Sequence, residues 1–387
     1  MKTEHPISTN STFLPCLQDF PICALSKAVE YKPNFEQVLK RYQSLWQGQM
    51  ENRILARIQV REGKVQRDAF MANVPQYKRM FEDYLAYWRT MAKLNDDILP
   101  VIAPSFGTGI EGGYFGANVE YGGATSWCEH IEDLIGHPEK IKYDRESDAV
   151  NRIRECSQYY SNNNHNRCLV GPANTDCPVD ILYMLRGSQI YTDIVDTPEK
   201  IKQLLSRIAE GVKQFRDEMW SLVPLYDGGT FNGWMNWWIP GRTGMVGADL
   251  FCSCSSAIYR KLGFPIHQQL AQNYGNAWFH LHTLGLHLIP LIAEMKNLIC
   301  LELSEDPNVE ISGLSLLNKV REIVPKQLVV KVAVRPHEFV NALETGTLPG
   351  NTIYDVCERN YQDIEYWDIS YANSLMDKVR KYCAQPK

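Results

Sequence analysis

The sequence predicts an α/β protein with the (β/α)8 architecture of a TIM barrel, because short apolar, β-rich runs alternate with long helical patterns over its 387 residues. This alternation is typical of a parallel sheet covered by helices. Eight such runs are present, and eight strands close a barrel. They span residues 54–60, 98–103, 168–171, 245–251, 277–281, 298–303, 328–334 and 352–356. We divide the chain into an N-terminal extension, residues 1–34, and a barrel domain, residues 35–387.

The segments between these runs fit the barrel in order. The extension reads as irregular chain, expected to act as a lid or an oligomer arm, and residues 35–52 predict a helix that leads into the first strand. The clearest helix follows the third strand, with Thr197 as N-cap, Pro198 as its first residue and apolar residues at helical spacing behind them. Before strand four, "YDGGTFNGWMNWWIPGRTG" predicts a long Trp- and Gly-rich loop over one end of the barrel.

Composition narrows the classes of partner. Hydrophobic residues at 44% and a net charge of -5 indicate a globular protein with no electrostatic reason to bind nucleic acid or an anionic membrane, which favours a small-molecule substrate. No segment predicts a secretory signal or a membrane span, so we expect a cytoplasmic protein. The eleven scattered cysteines predict mostly reduced thiols. No nucleotide cofactor is expected, since the chain lacks a dinucleotide fingerprint and a P-loop.

Three histidines lie close together in "AWFHLHTLGLHLIP". On a strand over residues 277–281, His280 and His282 point the same way, at the C-terminal end where barrel enzymes place their chemistry. A catalytic zinc site needs three protein ligands of nitrogen or sulfur type and one open position. His280 and His282 supply two, and Cys357, at the end of strand eight, is a candidate third. The alternative is a hydrogen-bonded core histidine and a small core thiol. His287, on the following helix, is expected to be structural.

Two carboxylates lie near the same rim. Asp249, in the run of strand four, is a candidate base or partner for a histidine, and the alternative is a helix-cap or loop hydrogen bond. Glu302 has the strand phase that points inward at the end of strand six. With His280 they form the predicted catalytic set. Asp96 and Asp97 precede strand two and belong to the opposite end of the barrel.

Glycines and tryptophans supply candidate substrate contacts. Gly107 and Gly109, in "APSFGTGIEGGYFGANVEYGG", let the backbone approach a ligand closely, and the alternative is a flexible loop. Trp234, Trp237 and Trp238 predict a ligand wall in the long loop, and the alternative is a small core of their own.

Several segments together resemble the uroporphyrinogen decarboxylase superfamily, which includes corrinoid-dependent methyltransferases. They are "LKRYQSLWQGQMENR", "LRGSQIYTDIVDTPEKIKQLL", "ADLFCSCSSAIYRKLGFP" and "FHLHTLGLH", in that order, and the resemblance begins near residue 35. Decarboxylases of the family carry paired arginines and a catalytic aspartate. Here Arg61 matches the first arginine, Val65 replaces the second, and Pro104 and Ser105 stand where the aspartate is expected.

The methyltransferases of the family bind zinc through a His-x-Cys pair and a distant cysteine. His280 matches the histidine, His282 replaces the first cysteine, and Cys357 follows after 74 intervening residues. The resemblance therefore implies a zinc-dependent methyltransferase in which the metal activates a thiol. It also implies a homodimer and a separate corrinoid protein as partner, because no segment here resembles a corrinoid-binding module.

Two alternatives stay open. The first is a decarboxylase of a porphyrinogen or another small acid, with Arg61, Arg186 or Arg242 binding carboxylates. The second is a noncatalytic barrel that binds a corrinoid or tetrapyrrole. Metal content separates the methyltransferase from both.

Overall fold

The computed structural model describes residues 29–50, 53–60, 77–122, 125–223, 225–306, 311–357 and 368–384. Most of the predicted N-terminal extension, residues 1–28, lies outside these ranges. The strands in this part of the chain are β1 Ile54–Ile58, β2 Val101–Ile102, β3 Val119–Gly122, β4 Thr125–Cys128, β5 Leu169–Val170, β6 Gly229–Asn232, β7 Trp237–Pro240, β8 Gly244–Gly247, β9 Ala277–His282, β10 Leu298–Ser304, β11 Val329–Val334 and β12 Thr352–Val356.

Six of these strands form one parallel sheet in the order β1-β12-β11-β10-β9-β8. Strands β2 and β5 pair with each other in a separate parallel sheet. All eight predicted runs therefore contain a strand, in a mixed α/β fold compatible with a TIM-like arrangement. The prediction for the fourth run was too long, because β8 ends at Gly247 and Asp249 begins a short helix.

On the edge of β1 that does not pair with β12, backbone N–H groups donate hydrogen bonds to two carboxylates. Asp97 Oδ2 accepts from the Ala56 backbone N–H at 2.9 Å, and Asp96 Oδ2 accepts from the Ile58 N–H at 3.0 Å. Both aspartates are fully buried. Side chains thus satisfy backbone donors that a neighbouring strand would otherwise bond.

The helices fill the chain between strands, and most of them pack against one face of the sheet. They are α1 Phe35–Trp46, α2 Tyr77–Met91, α3 Asp148–Asn163, α4 Pro178–Arg186, α5 Ile190–Asp196, α6 Pro198–Ser221, α7 Asp249–Cys252, α8 Ser256–Tyr274, α9 Ile289–Ile292, α10 Gly313–Arg321, α11 Pro336–Glu344 and α12 Ile369–Ala384. The predicted helix after strand three is present as α6. Thr197 is its N-cap residue and Pro198 its first residue, as predicted, although the Thr197 hydroxyl donates to the Asp193 carbonyl at 3.1 Å and makes no capping hydrogen bond. In the described parts of the chain, no helix has the length and apolar character needed to cross a membrane.

The two faces of the sheet bury different cores. Alternate residues such as Ala56, Phe279 and Leu301 pack against the helices. Their neighbours Leu55 and Trp278 join a second apolar cluster on the opposite face, together with α1 and the β6–β7 hairpin. We call the face that carries Leu55 and Trp278 the inner face. The same face carries the polar side chains of the candidate site.

Two predicted loops are regular structure. The Trp- and Gly-rich loop before β8 forms the antiparallel β6–β7 hairpin. The glycine-rich loop after β2 contains a 3₁₀ helix, Thr108–Phe115, which packs against the hairpin of β3 and β4. Gly107, with φ +81°, and Gly109 are required there, because an added Cβ would lie 2.4 Å from the backbone of Ser126 and Trp127 respectively. We predicted that these two glycines admit a ligand. In the structure they instead allow close packing against the backbone of the neighbouring hairpin.

Candidate metal centre

A row of charged side chains crosses the inner face of five neighbouring strands. In order along the sheet, these side chains are Arg57 on β1, Asp355 on β12, Lys331 on β11, Glu302 on β10 and His280 on β9. All except Asp355 are buried. We call these five residues the charged row.

Each member of the charged row bonds the next. Arg57 makes a bidentate pair with Asp355. Lys331 Nζ lies 2.9 Å from Asp355 Oδ2 and 3.1 Å from Glu302 Oε1. Glu302 Oε2 then accepts from Nδ1 of His280. A buried charge is tolerated only when it is paired in this way, so the row holds its side chains in fixed positions.

The row ends at a group with metal-ligand spacing. Ligand atoms of Asp249, His280 and His282 all lie within 4.8 Å of one another, the one such group of three His, Cys, Asp or Glu residues among the described parts of the chain. His282 Nε2 is 3.6 Å from Asp249 Oδ2, and the two imidazole rings are perpendicular with centroids 4.8 Å apart. Asp249 is half exposed, so the group opens towards solvent.

Both histidines are oriented by carboxylates. Nδ1 of His280 faces Glu302, and Nδ1 of His282 lies 2.9 Å from Asp306 Oδ1. Asp306 is itself held at 2.6 Å by the Thr283 hydroxyl, while the Leu284 backbone N–H donates to it at 2.9 Å. In both rings Nε2 is left as the nitrogen available to an ion. Histidine ligands in metalloproteins typically donate their second N–H to a carboxylate, which fixes the ring and raises its basicity.

The donor set fits a divalent first-row metal. Two imidazoles and one carboxylate, with one side open, are the ligands of catalytic zinc sites and also of non-haem iron(II) sites. The structure therefore favours Asp249 where the sequence nominated Cys357. The Cys357 thiol is not part of the group; its Sγ lies 3.7 Å from the Asp355 carbonyl, and burial raises its pKa to about 12.

The charges around the group shift several pKa values. Burial alone would lower the pKa of His280, but the Glu302 carboxylate outweighs it and raises that pKa to about 9. Burial likewise opposes the shift at Glu302, where Lys331 and His280 together lower the pKa to about 2. Glu302 is therefore ionised throughout the neutral range, and it attracts either a proton or a metal ion at the far nitrogen of His280.

Two further acids stand behind Asp249. Desolvation, followed by the charge of Asp249, raises the pKa of Asp176 to about 6 and raises that of Asp180 well above its ordinary value. Asp180 also accepts from the Leu250 backbone N–H at 3.1 Å, so it helps to place the turn that carries Asp249. Mutual repulsion of this kind is reduced when a cation binds among the carboxylates.

The three predicted tryptophans separate into two environments. Trp234, at the tip of the β6–β7 hairpin, is 44% exposed, and its ring centroid lies 4.9 Å from that of His280. Trp237 and Trp238 are buried in the second apolar cluster, where Trp237 packs edge-on against Trp278. Of the three tryptophans predicted to form a ligand wall, only Trp234 therefore lies at the site. Trp237 and Trp238 form the small core that was the alternative, because both lie on a strand of the hairpin that packs into this cluster, whereas Trp234 lies in the turn.

The remaining predicted residues lie elsewhere. Arg61 lies outside the described residues. Arg186 pairs with Asp193 at 2.6 Å, and the Arg242 guanidinium lies over the Trp220 ring. His287 is 2.7 Å from the Cys254 carbonyl, a structural role as predicted.

Sequence reasoning missed Arg57, Lys331, Asp355 and Asp306. The first three interrupt apolar strands, "ILARI", "VVKVAV" and "TIYDV", and a lone charge in a buried strand signals a paired inward group. Asp306 lies in a loop after β10 and carries no such signal.

No protein-family model matches the sequence, and no curated protein matches it. The chain shares its fold with a solved methyltransferase. That protein, from Methanosarcina mazei, gives a TM-score of 0.61 over 90% of this chain and 99% of its own, at 10% sequence identity. At this identity the likeness to the Methanosarcina mazei protein shows a common fold, in agreement with the fold that the resemblance implied.

Proposed function

We propose that this protein is a metal-dependent methyltransferase built on a closed (β/α)8 barrel, with zinc held by Asp249, His280 and His282. The observation that carries the proposal is the pair of imidazoles, each bonded through Nδ1 to a carboxylate and each presenting Nε2 beside Asp249. The methyltransferase reading draws support from the fold shared with the Methanosarcina mazei protein.

Zinc bound by this set would lower the pKa of a substrate thiol and favour the thiolate that accepts a methyl group. The side chains of the chain do the positioning. Glu302 and Asp306 hold the two rings, and Trp234 forms a flat wall next to His280 on the open side. A methylated corrinoid on a separate protein is the proposed methyl donor.

An oxygen ligand in place of the predicted thiolate has a chemical consequence. A carboxylate donates less electron density to zinc than a thiolate does, so the ion stays a stronger Lewis acid. A site of Asp249, His280 and His282 is therefore suited to depress the pKa of a thiol.

The decarboxylase alternative gains no support from the described arginines. Arg186 is neutralised by Asp193, and Arg242 packs on Trp220, so neither is placed to bind a substrate carboxylate. We therefore retain methyl transfer as the proposal.

The experiment is a methyl-transfer assay with methylcobalamin as donor and a small thiol as acceptor, followed by the visible spectrum of the cobalamin. We expect turnover by the zinc-loaded protein, loss after chelation, and recovery when zinc is restored. The His282→Ala variant should stay inactive after zinc is added, whereas His287→Ala, a histidine of the same segment with a structural contact, should retain activity. Metal binding without turnover of any thiol would contradict the methyl-transfer proposal and leave the metal centre standing.

A further inference from the structure

The charged row begins and ends at the same hairpin. Arg57 Nη1 donates to the carbonyl of Met235, at the tip between β6 and β7. At the other end of the row, His280 packs against Trp234, the residue that precedes Met235. A closed ring of contacts on the inner face therefore joins Arg57, Asp355, Lys331, Glu302, His280 and the hairpin tip.

Lys331 is the link at the centre of this ring. It is 7% exposed, and its ammonium group lies between the carboxylates of Glu302 and Asp355 at 3.1 and 2.9 Å. Glu302 has only two bonded partners in the described part of the chain, His280 through one oxygen and Lys331 through the other. The direction of the Glu302 carboxylate, and with it the direction of the His280 ring, depends on Lys331.

Stability alone does not explain such a row. Buried ion pairs are often matched or exceeded in stability by apolar residues of similar volume, because desolvation offsets their attraction. The apolar residues Leu55, Trp278 and Cys300 already fill the inner face one layer away. Replacing the charges by apolar side chains would extend that layer.

We infer that Lys331 is a positioning residue for the metal centre, acting through Glu302 on the His280 ring, with Asp355 and Arg57 fixing Lys331 and the hairpin tip. This inference rests on the proposed metal centre for its role, but its geometric part concerns the His280 ring and has a readout that needs no metal.

The test uses the full chain with cobalt(II) alone as the probe, because cobalt(II) replaces zinc and reports its ligands by its visible spectrum. We expect Lys331→Met to weaken cobalt binding by about 10–100-fold, the usual loss when a group behind a ligand is removed. Lys331→Arg keeps the positive charge and should restore most of the affinity and the wild-type spectrum.

Lys32→Met is the matched control. Lys32 is also a fully buried lysine, 3.0 Å from the buried Asp96, but its pair lies beside β1 away from the histidines. We expect Lys32→Met to lower thermal stability and leave cobalt affinity unchanged. Equal weakening of cobalt binding by Lys32→Met and Lys331→Met would overturn the inference, because it would mean a general loss of folding.

A second readout separates this inference from the proposed function. In proton NMR, the His280 Nδ1–H bonded to Glu302 should give an exchange-protected signal, assigned by its absence in His280→Gln. We expect the signal in the metal-free wild type and in Lys32→Met, and its loss in Lys331→Met. If the wild type binds no cobalt but the signal behaves this way, the proposed function fails and the positioning role stands.

Retention of the signal together with wild-type cobalt affinity in Lys331→Met would overturn the inference. Should Lys331→Met fail to fold, Lys331→Gln replaces it: the amide fills the space and offers one hydrogen bond but no charge. The same weakening of cobalt binding is expected for it, and unchanged binding would overturn the inference equally.

Discussion

Two buried charge networks in this molecule use similar residues for different ends. Beside β1, Asp96 and Asp97 are bonded by Lys32, Arg41 and Arg380. On the inner face, Glu302 and Asp355 are bonded by Lys331 and Arg57. The first network sends its carboxylate oxygens to backbone donors of β1, whereas the second passes from side chain to side chain and ends at a histidine.

The difference indicates how to recognise a site among buried charges. A carboxylate that accepts from backbone N–H groups holds a strand in place, and its task is completed within the fold. A carboxylate bonded to one nitrogen of an imidazole leaves the other nitrogen available to a proton, a substrate or a metal. Burial and pairing are common to both networks, so only the terminal group distinguishes them.

One of the two largest expected effects lies in the first network. Asp97→Ala should destabilise the fold by about 3–5 kcal/mol, because it leaves the charges of Arg41 and Arg380 and the Ala56 N–H without their partner. Chemical denaturation measures this loss. Metal affinity of the folded variant should equal that of the wild type, and a large change in it would mean that the two networks are not separate.

Asp97 should also make the stability of the fold depend on pH. Burial opposes the shift, but Arg380 and Arg41 lower the pKa of Asp97 below its ordinary value of 3.8 in the folded protein. A lowered pKa gives stability that is present above pH 3.8 and is lost as the pH falls through the folded value. The stability difference between the wild type and Asp97→Asn should therefore be full near neutral pH and shrink below about pH 4. A difference that stays constant down to pH 2 would contradict this assignment.

Trp237 and Trp234 allow the same comparison between a buried residue that supports the fold and an exposed residue at the site. Trp237→Ala should cost about 3–5 kcal/mol, because it empties a fully buried position against Trp278 and Trp46. Trp234→Ala removes a half-exposed ring and should cost clearly less in the same denaturation experiment, while altering the cobalt(II) spectrum or substrate binding beside His280. Equal stability losses would contradict the separation of the two rings.

A smaller effect is expected from the partner of His282. Asp306→Asn keeps the size of the side chain but removes the charge that orients the ring at 2.9 Å. Metal affinity should fall by about 10–100-fold, equivalent to roughly 1.4–2.8 kcal/mol, with the fold intact. Competition with a chelator measures the affinity, and circular dichroism checks the fold. An unchanged affinity would remove Asp306 from the account of the metal centre.

The sequence predicted much of the fold because the spacing of apolar residues and the length of each apolar run are local properties of the chain. All eight predicted runs contain strands, and helix α6 lies where its apolar spacing placed it. The meeting of β9 and β10, which joins His280 to Glu302, also followed from strand phase. What local pattern could not supply was the register between distant strands, which decides that Lys331 and Asp355 reach this row while Cys357 does not join the histidines.

The tryptophans and glycines show the same limit. A Trp- and Gly-rich segment predicts a loop, but the turn at residues 233–236 folds it into a hairpin that buries Trp237 and presents Trp234. Gly107 and Gly109 read as open loop positions, yet their lack of a side chain serves the approach of the 3₁₀ helix to a neighbouring hairpin. In each case the partner that decides the role lies far away in the sequence or on another element.

Metal content of the purified protein tests the central claim most directly. The wild type, prepared without a metal-binding tag, is measured by elemental analysis beside Asp249→Ala and Cys357→Ala after zinc is offered and excess removed. The account predicts about one zinc per chain in the wild type and in Cys357→Ala, and a large loss in Asp249→Ala. Retention of zinc by Asp249→Ala with loss in Cys357→Ala would contradict it and return the third ligand to the cysteine.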